Sequence, residues 1–215
     1  MKELKYTLIA DGSSDKTLLR IIKWSLDNLY PRMSNEGNFA DFRNIPNPPK
    51  NLKNKIKEAI KYYPFDILFI HRDAEKTDIS ILEQRITEIK ENLNENEIGK
   101  TIFIVPIKMM ETWLLIDADA IKKAAGNRNF SNNIILPLIK NLEKEKEPKK
   151  LLHKILKETS GLKGRNLKKF NTDKAVHLVA ENIEDYSPLR QLEAFKAFEA
   201  QLVIRINQFL EISTL

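Results

Sequence analysis

Residues 65–70 read Phe65-Asp66-Ile67-Leu68-Phe69-Ile70, a nearly continuous apolar run that directly follows a proline. Such a run is typical of a strand in a parallel sheet, because helices cover both faces of that kind of sheet. A polar segment, His71-Arg72-Asp73-Ala74-Glu75, comes immediately afterwards. The stretch from 65 to 75 therefore predicts a buried strand whose carboxyl end carries charged side chains.

Apolar patterns on both sides of this strand alternate between strand and helix spacing. The predicted elements are a strand at 6–10, a helix at 15–29, a short strand at 39–43, a helix at 52–63, the strand at 65–70, a helix from 78 and a strand at 101–105. This alternation predicts an α/β fold with a mostly parallel sheet and right-handed crossovers.

The remainder of the chain has a helical pattern. We expect a helix over 111–125 that ends at Gly126, one that starts at Pro148, one that starts near Thr172 and a long one after Ser187-Pro188. No clear linker precedes them. We therefore predict an α/β core over residues 1–126 and a helical carboxyl-terminal extension over residues 127–215, packed on the same core.

Composition excludes several classes of protein. The chain has 215 residues, 42% of them hydrophobic, which is enough for one domain with a sizeable core. It contains no cysteine, so disulfides, thiolate metal sites and cysteine nucleophiles are excluded. The first apolar run has only five residues, too few for a signal peptide or a membrane span. We expect a cytoplasmic protein without a membrane partner.

The basic charge is concentrated in one region. Between Lys140 and Lys169 there are 11 Lys and Arg against four Glu, a net charge of 11 − 4 = +7. This local charge exceeds the formal charge of +6 for the whole chain. Within it, the loop-like segment 163–170 carries Lys163, Arg165, Lys168 and Lys169, which suit contacts with a phosphate backbone. Nucleic acid is the predicted partner, and a solvated lysine-rich loop is the alternative.

Acidic side chains follow the predicted strands, where ligands bind in an open parallel sheet. Asp11 follows the first strand, Asp73 and Glu75 follow the third, and Glu111 comes shortly after the fourth. Carboxylates without cysteine favour Mg²⁺ or Mn²⁺, and such metals serve phosphodiester cleavage or phosphoryl transfer. Alternatively, Asp11 is a turn residue, and Asp73 and Glu75 are ordinary loop acids.

Several segments resemble motifs of the TOPRIM family. Residues 8–15, Leu-Ile-Ala-Asp-Gly-Ser-Ser-Asp, are similar to its first motif, an acid and a glycine after the first strand. Residues 69–75 are similar to its second motif, a pair of acids two positions apart. A Pro-x-x-x-x-Glu-x-Trp-Leu-Leu segment at 106–115 and residues 187–195 resemble a group of small bacterial TOPRIM-like proteins often associated with phage defence.

The resemblance implies a TOPRIM-like fold and a magnesium-dependent nuclease or related hydrolase. It makes Asp11, Asp73 and Glu75 the metal ligands and Glu111 a fourth candidate. Asp11 stands where the family usually has Glu, and Glu75 stands where Asp is commoner. Both differences keep the charge and change the reach of the side chain by one methylene.

Two neighbours of these acids have alternative roles. His71 is a candidate general base, although a histidine at a strand end also serves as a hydrogen-bonding structural residue. Arg72 suits either a phosphate or a nearby acid, because its planar guanidinium forms paired hydrogen bonds with both.

Three hypotheses of function follow. The first is a metal-dependent nuclease with Asp11, Asp73, Glu75, Glu111 and His71 as catalytic candidates. The second is a non-catalytic, degenerate TOPRIM module that binds nucleic acid or, by family association, a partner ATPase. The third is a protein that binds or hydrolyses a nucleotide phosphate, although no glycine-rich phosphate loop supports it.

Overall fold

A computed structural model of the chain describes residues 3–43 and 45–212, with the backbone alone at residues 13 and 212. Within these residues the sheet consists of β1 (Leu4–Ile9), β2 (Asn35–Phe39), β3 (Ile67–His71) and β4 (Thr101–Ile104). Every pairing is parallel, and the order across the sheet is β2-β1-β3-β4. The predicted α/β class is confirmed.

Helices surround the sheet and form the carboxyl-terminal part. In the described residues they are α1 (Leu18–Leu29), α2 (Leu52–Tyr62), α3 (Ser80–Lys90), α4 (Glu95–Gly99), α5 (Ala118–Ala124), α6 (Pro148–Thr159), α7 (Gly164–Lys168), α8 (Thr172–Asn182) and α9 (Glu193–Ile212). Short 3₁₀ turns span Ser13–Thr17, Met110–Leu114, Ile139–Lys144 and Ser187–Gln191.

The direction of the crossovers reverses after β2. The chain moves from β1 to one side to form β2, then crosses back over β1 to form β3 and continues to β4. Because such crossovers are right-handed, α1 covers one face of the sheet, whereas α2 and α3 cover the other. The carboxyl ends of β1 and β3 therefore flank the switch point of the topology.

Three predicted elements differ from the structure. The second strand lies at Asn35–Phe39 instead of 39–43, because an edge strand tolerates polar residues that hide its pattern. The helix predicted over 111–125 is divided, because Asp117 accepts the backbone N–H groups of Asp119 and Ala120 and so caps a new helix. The basic segment 163–170, expected as a loop, contains α7.

Helix α9 closes one edge of the sheet. The backbone N–H of Phe103 on β4 donates to the Oε1 atom of Gln201 at 3.1 Å, and Arg205 Nε donates to the carbonyl of Thr101 at 3.4 Å. These side chains occupy hydrogen-bonding groups that an edge strand otherwise presents to other chains. The carboxyl-terminal helix thus completes the sheet.

The two parts of the chain share a hydrophobic core. Buried side chains before and after residue 126 belong to one cluster. Trp113 is fully buried, and its ring centroid lies 5.2 Å from that of Phe195 and 6.1 Å from that of Phe198. The segments at 106–115 and 187–195 therefore meet inside the core.

Gly37 offers a test of the position of β2. A Cβ atom at Gly37 would lie 2.3 Å from the ring of Tyr6, its partner on β1. We expect Gly37→Ala to lower the free energy of unfolding by about 1–3 kcal/mol, as overpacking does.

The control is Gly99→Ala, where the added Cβ meets nothing within 4 Å. It should leave stability unchanged or raise it slightly. Urea denaturation of both variants measures the difference, and equal stabilities would contradict the contact between Tyr6 and β2.

Candidate functional site

Two predicted site residues lie at the switch point. Asp11 stands two residues after β1 and Asp73 two residues after β3, and these strands are neighbours, with Ile9 opposite Ile70. Both side chains reach solvent, since their exposed fractions are 58% and 36%. This edge is where an open parallel sheet binds its ligand.

A buried histidine lies beneath Asp73. His71, the last residue of β3, is 2% exposed. Its Nδ1 atom lies 3.0 Å from the carbonyl oxygen of Ile104, so Nδ1 carries the proton. Its Nε2 atom lies 3.4 Å from Asp73 Oδ1 and 3.9 Å from Asp15 Oδ2. The imidazole therefore links β3 to β4 and holds two carboxylates above the sheet.

Opposing effects act on the pKa of His71. Burial lowers it, but the hydrogen bond and charge of Asp73, the charge of Asp15 and the carbonyl of Ile104 outweigh burial and raise the pKa above its usual value. The charged imidazolium is therefore favoured between the two carboxylates. Because the ring is buried, this geometry favours the structural alternative for His71.

The carboxylate of Asp73 is held in a second way. Its Oδ1 atom accepts the backbone N–H of Met110 at 2.9 Å. This bond brings the 3₁₀ turn after β4 to the end of β3. Asp73 is thus positioned by both His71 and the backbone.

Asp11 is paired with two cations. Lys55 Nζ on α2 lies 3.0 Å from its Oδ1 atom and donates to the carbonyl of Ala10 at 3.1 Å. Arg72 Nε lies 3.5 Å from Asp11 Oδ2. Arg72 therefore neutralises an acid of the chain, as one of its two predicted roles anticipates.

Glu75 is paired with a cation of α3. Its backbone has a φ of +63°, so the segment from 73 to 75 is not extended. Its Oε2 atom accepts a hydrogen bond from Arg85 Nη2 on α3 at 2.9 Å, and 71% of the side chain is exposed. Arg85 also pairs with Glu88 at 2.7 Å.

Glu111 lies close to the same edge and is almost buried, with 5% exposed. Burial raises its pKa; its own backbone hydrogen bond and the Lys149 charge oppose this rise, while the charge of Asp73 adds to it. Lys149 Nζ on α6 lies 3.4 Å from Glu111 Oε1. The basic carboxyl-terminal region therefore contributes a cation beside the predicted acids.

Four of the five predicted nucleic-acid contacts, all except Arg72, lie in the basic segment 163–170. Lys163, Arg165, Lys168 and Lys169 are exposed and lie on or beside α7. None of them forms an ion pair within the described part of the chain. Their charge is therefore free to meet an external anion.

The predicted metal ligands suit Mg²⁺ or Mn²⁺ in donor type and in access to solvent. Among the described residues, no three acidic or histidine side chains form a group that would hold a metal. Mg²⁺, however, binds through one or two carboxylates, several waters and substrate phosphate oxygens. Asp73 and Asp11 meet that smaller requirement, whereas Glu75 joins them only if its ion pair opens.

Sequence reasoning missed Asp15 and the cations that pair with the acids. Asp15 accepts the backbone N–H of Gly12 at 2.9 Å. Its position in the first turn after β1 was the available signal that it approaches His71. Lys55, Arg85 and Lys149 lie on helices that are distant in the sequence. No local pattern indicates that they pair with these acids.

No protein-family model, curated protein or solved structure matches this chain. The TOPRIM resemblance therefore stays a prediction. Among the described helices, none combines the length and apolar character needed to cross a membrane.

The environment of His71 predicts how stability depends on pH. A raised pKa in the folded state contributes stability that is complete below about pH 6.5, the usual value, and is lost as pH rises through the raised pKa. The unfolding free energy of the wild type should exceed that of His71→Asn most at low pH, and the difference should shrink as pH rises.

His153→Asn is the matched control, because burial and the charge of Lys149 lower the pKa of His153. The unfolding free energy of the wild type should exceed that of His153→Asn by an amount that grows as pH rises towards 6.5, opposite to the trend for His71→Asn. Urea denaturation between pH 5 and 9 measures both, and a flat His71 difference would contradict the imidazolium assignment.

Proposed function

We propose that this protein is a Mg²⁺- or Mn²⁺-dependent, TOPRIM-like enzyme that cleaves phosphodiester bonds in nucleic acid. The observation that carries the proposal is the position of Asp11 and Asp73 at the carboxyl ends of β1 and β3, at the switch point of the sheet. The role of this enzyme in phage defence rests on the resemblance to TOPRIM-like proteins.

Asp73 and Asp11 would hold the metal. The ion pairs of Asp11 do not prevent this, since its side chain is 58% exposed and surface ion pairs contribute only about 0–1 kcal/mol. A bound metal supplies charge stabilisation and an activated water for phosphodiester hydrolysis. Glu75 would add a third carboxylate if its ion pair with Arg85 opened.

The chain's own groups have separate roles. Glu111 retains a proton to higher pH than a free carboxyl, which suits it to protonate the leaving oxygen. Lys149 and Arg72 stand beside the acids and would bind the phosphate of the substrate. His71 orients Asp73 from below.

The basic region supports nucleic acid as the substrate. Lys149 on α6 lies 3.4 Å from Glu111, so the segment from 140 to 169 reaches the candidate site through this lysine. Its exposed lysines and arginine would bind the phosphate backbone without reading sequence.

A second candidate is the non-catalytic module that binds nucleic acid or a partner ATPase. It is favoured by the pairing of Asp11 with Lys55 and Arg72, and of Glu75 with Arg85. In this case the chain's own cations permanently replace a metal. Binding would then survive substitution of the acids, and no cleavage would occur.

Replacing Asp73 tests the enzyme. Asp73→Asn removes the charge but keeps an oxygen that accepts the Met110 N–H. We expect cleavage of labelled single- and double-stranded DNA or RNA with Mg²⁺ or Mn²⁺ to fall at least a hundredfold, because metal charge stabilisation is worth several kcal/mol.

Asp119→Asn is the control, because Asp119 is an exposed acid on α5 whose side chain pairs with Lys122. It should cleave as the wild type does. Cleavage unaffected by Asp73→Asn, or no cleavage by the wild type while binding persists, would contradict the enzyme and favour the module.

The basic segment predicts a salt-dependent affinity. Replacing its four exposed cations by Gln should weaken nucleic-acid binding and flatten the dependence of affinity on salt, by about 0.9 in logarithmic slope per lost contact with duplex DNA. The substituted residues are Lys163, Arg165, Lys168 and Lys169.

A control with the same loss of charge replaces one lysine just before α2 and three lysines within it. These are Lys50, Lys53, Lys57 and Lys61. Fluorescence anisotropy across a range of salt concentrations should show the larger loss of slope for the first set. Equal slopes for both would mean that binding follows net charge, not this segment.

A further inference from the structure

A cleft separate from the candidate site lies beside the middle of β1 and β2, between α1 and α8. Its volume is about 480 Å³, within the range of roughly 300–1,000 Å³ for small-molecule sites. Water occupies only about 30 Å³ per molecule in the liquid. The cleft is therefore larger than an inorganic anion requires and has room for an organic group.

The lining of this cleft is cationic. Lys16, Arg20 and Lys23 project into it from consecutive turns of the same helical segment, and Glu181 on α8 is the acid that faces them. Arg20 Nη2 lies 3.9 Å from Glu181 Oε1, a long contact between two exposed side chains. The cations thus outnumber the acid on this wall.

The second and third cations differ in availability. Lys23 pairs with Asp27 of its own helix at 3.0 Å, with both side chains half exposed. Lys16 forms no ion pair with any residue in the described ranges. Lys16 and Arg20 are therefore the cations most available to an incoming anion.

A tyrosine lies in the wall of the same cleft. Tyr6 is 2% exposed, lines the cleft, and forms no hydrogen bond through its hydroxyl to a described residue. Its ring lies directly over Gly37, where any Cβ atom would overlap it. The absence of a side chain at Gly37 therefore lets Tyr6 reach the cleft.

The Tyr6 hydroxyl is suited to donate a hydrogen bond. Burial and, to a smaller extent, the charge of Asp27 raise the pKa of Tyr6 above its usual value. The phenol keeps its proton, so the hydroxyl that lines the cleft can donate it in a hydrogen bond. An anionic oxygen in the cleft would accept that bond.

We propose that this cleft binds a small phosphate monoester through Arg20, Lys16 and the hydroxyl of Tyr6. Arginine and lysine both bind phosphate oxygens through charge-assisted hydrogen bonds, and the remaining volume receives the organic group. The ester is either a free nucleotide or the 5′-phosphate end of a strand. The inference does not depend on the cleavage proposed for the strand ends.

The test uses the full chain and isothermal titration calorimetry. Adenosine 5′-monophosphate is compared with adenosine, and a 5′-phosphorylated oligonucleotide is compared with the same strand without its phosphate. We expect saturable binding that requires the phosphate. Arg20→Gln should weaken it by about tenfold or more, as the loss of a charge-assisted bond predicts.

Two further variants separate the site from general charge. Tyr6→Phe keeps the ring and removes the hydroxyl, and it should weaken binding severalfold. Lys57→Gln removes a lysine of α2, which lies across the sheet, and should leave binding unchanged.

The mononucleotide and oligonucleotide titrations distinguish the two sources of the phosphate. Arg20-dependent binding of the mononucleotide supports a free ester, and Arg20-dependent binding of the phosphorylated strand alone supports a strand end. Absence of phosphate-dependent binding, or equal affinities of the wild type and Arg20→Gln, would overturn the proposal.

Discussion

The reversal of crossover direction after β2 is the constraint on which the rest of the structure depends. Because crossovers are right-handed, it sends α1 and α2 to opposite faces of the sheet and separates the chain segments that leave β1 and β3. Asp11 and Asp73 are brought to the same edge by this topology, although they are 62 positions apart in the sequence. The candidate site is therefore a consequence of strand order.

The charges at this edge are arranged in two layers. Beneath the surface, the buried His71 links Asp15 to Asp73, whose side chain still reaches solvent. At the surface, Asp11 and Glu75 are paired with cations from helices α2 and α3. The buried layer fixes one carboxylate, whereas the exposed layer can exchange its partners. This difference decides between an enzyme, in which metal displaces the cations, and a module, in which they stay.

Sequence predicted much of this arrangement. The apolar run at 65–70 gave the central strand, and the alternation around it gave the parallel sheet, because both signals are local. The polar edge strand β2 was placed four residues late, since its contact with Tyr6 depends on Gly37 and not on an apolar pattern. Partners such as Lys149 and Arg85 come from distant elements, so only the folded chain shows that they reach Glu111 and Glu75.

The central claim is that the carboxylates after β1 and β3 bind a divalent cation. Nuclear magnetic resonance of isotope-labelled protein titrated with Mn²⁺ tests it most directly, since the paramagnetic ion broadens signals of nearby backbone amides. The account predicts selective broadening at residues 10–12 and 72–74 that is lost in Asp73→Asn. Broadening elsewhere, or none at this edge, would contradict it.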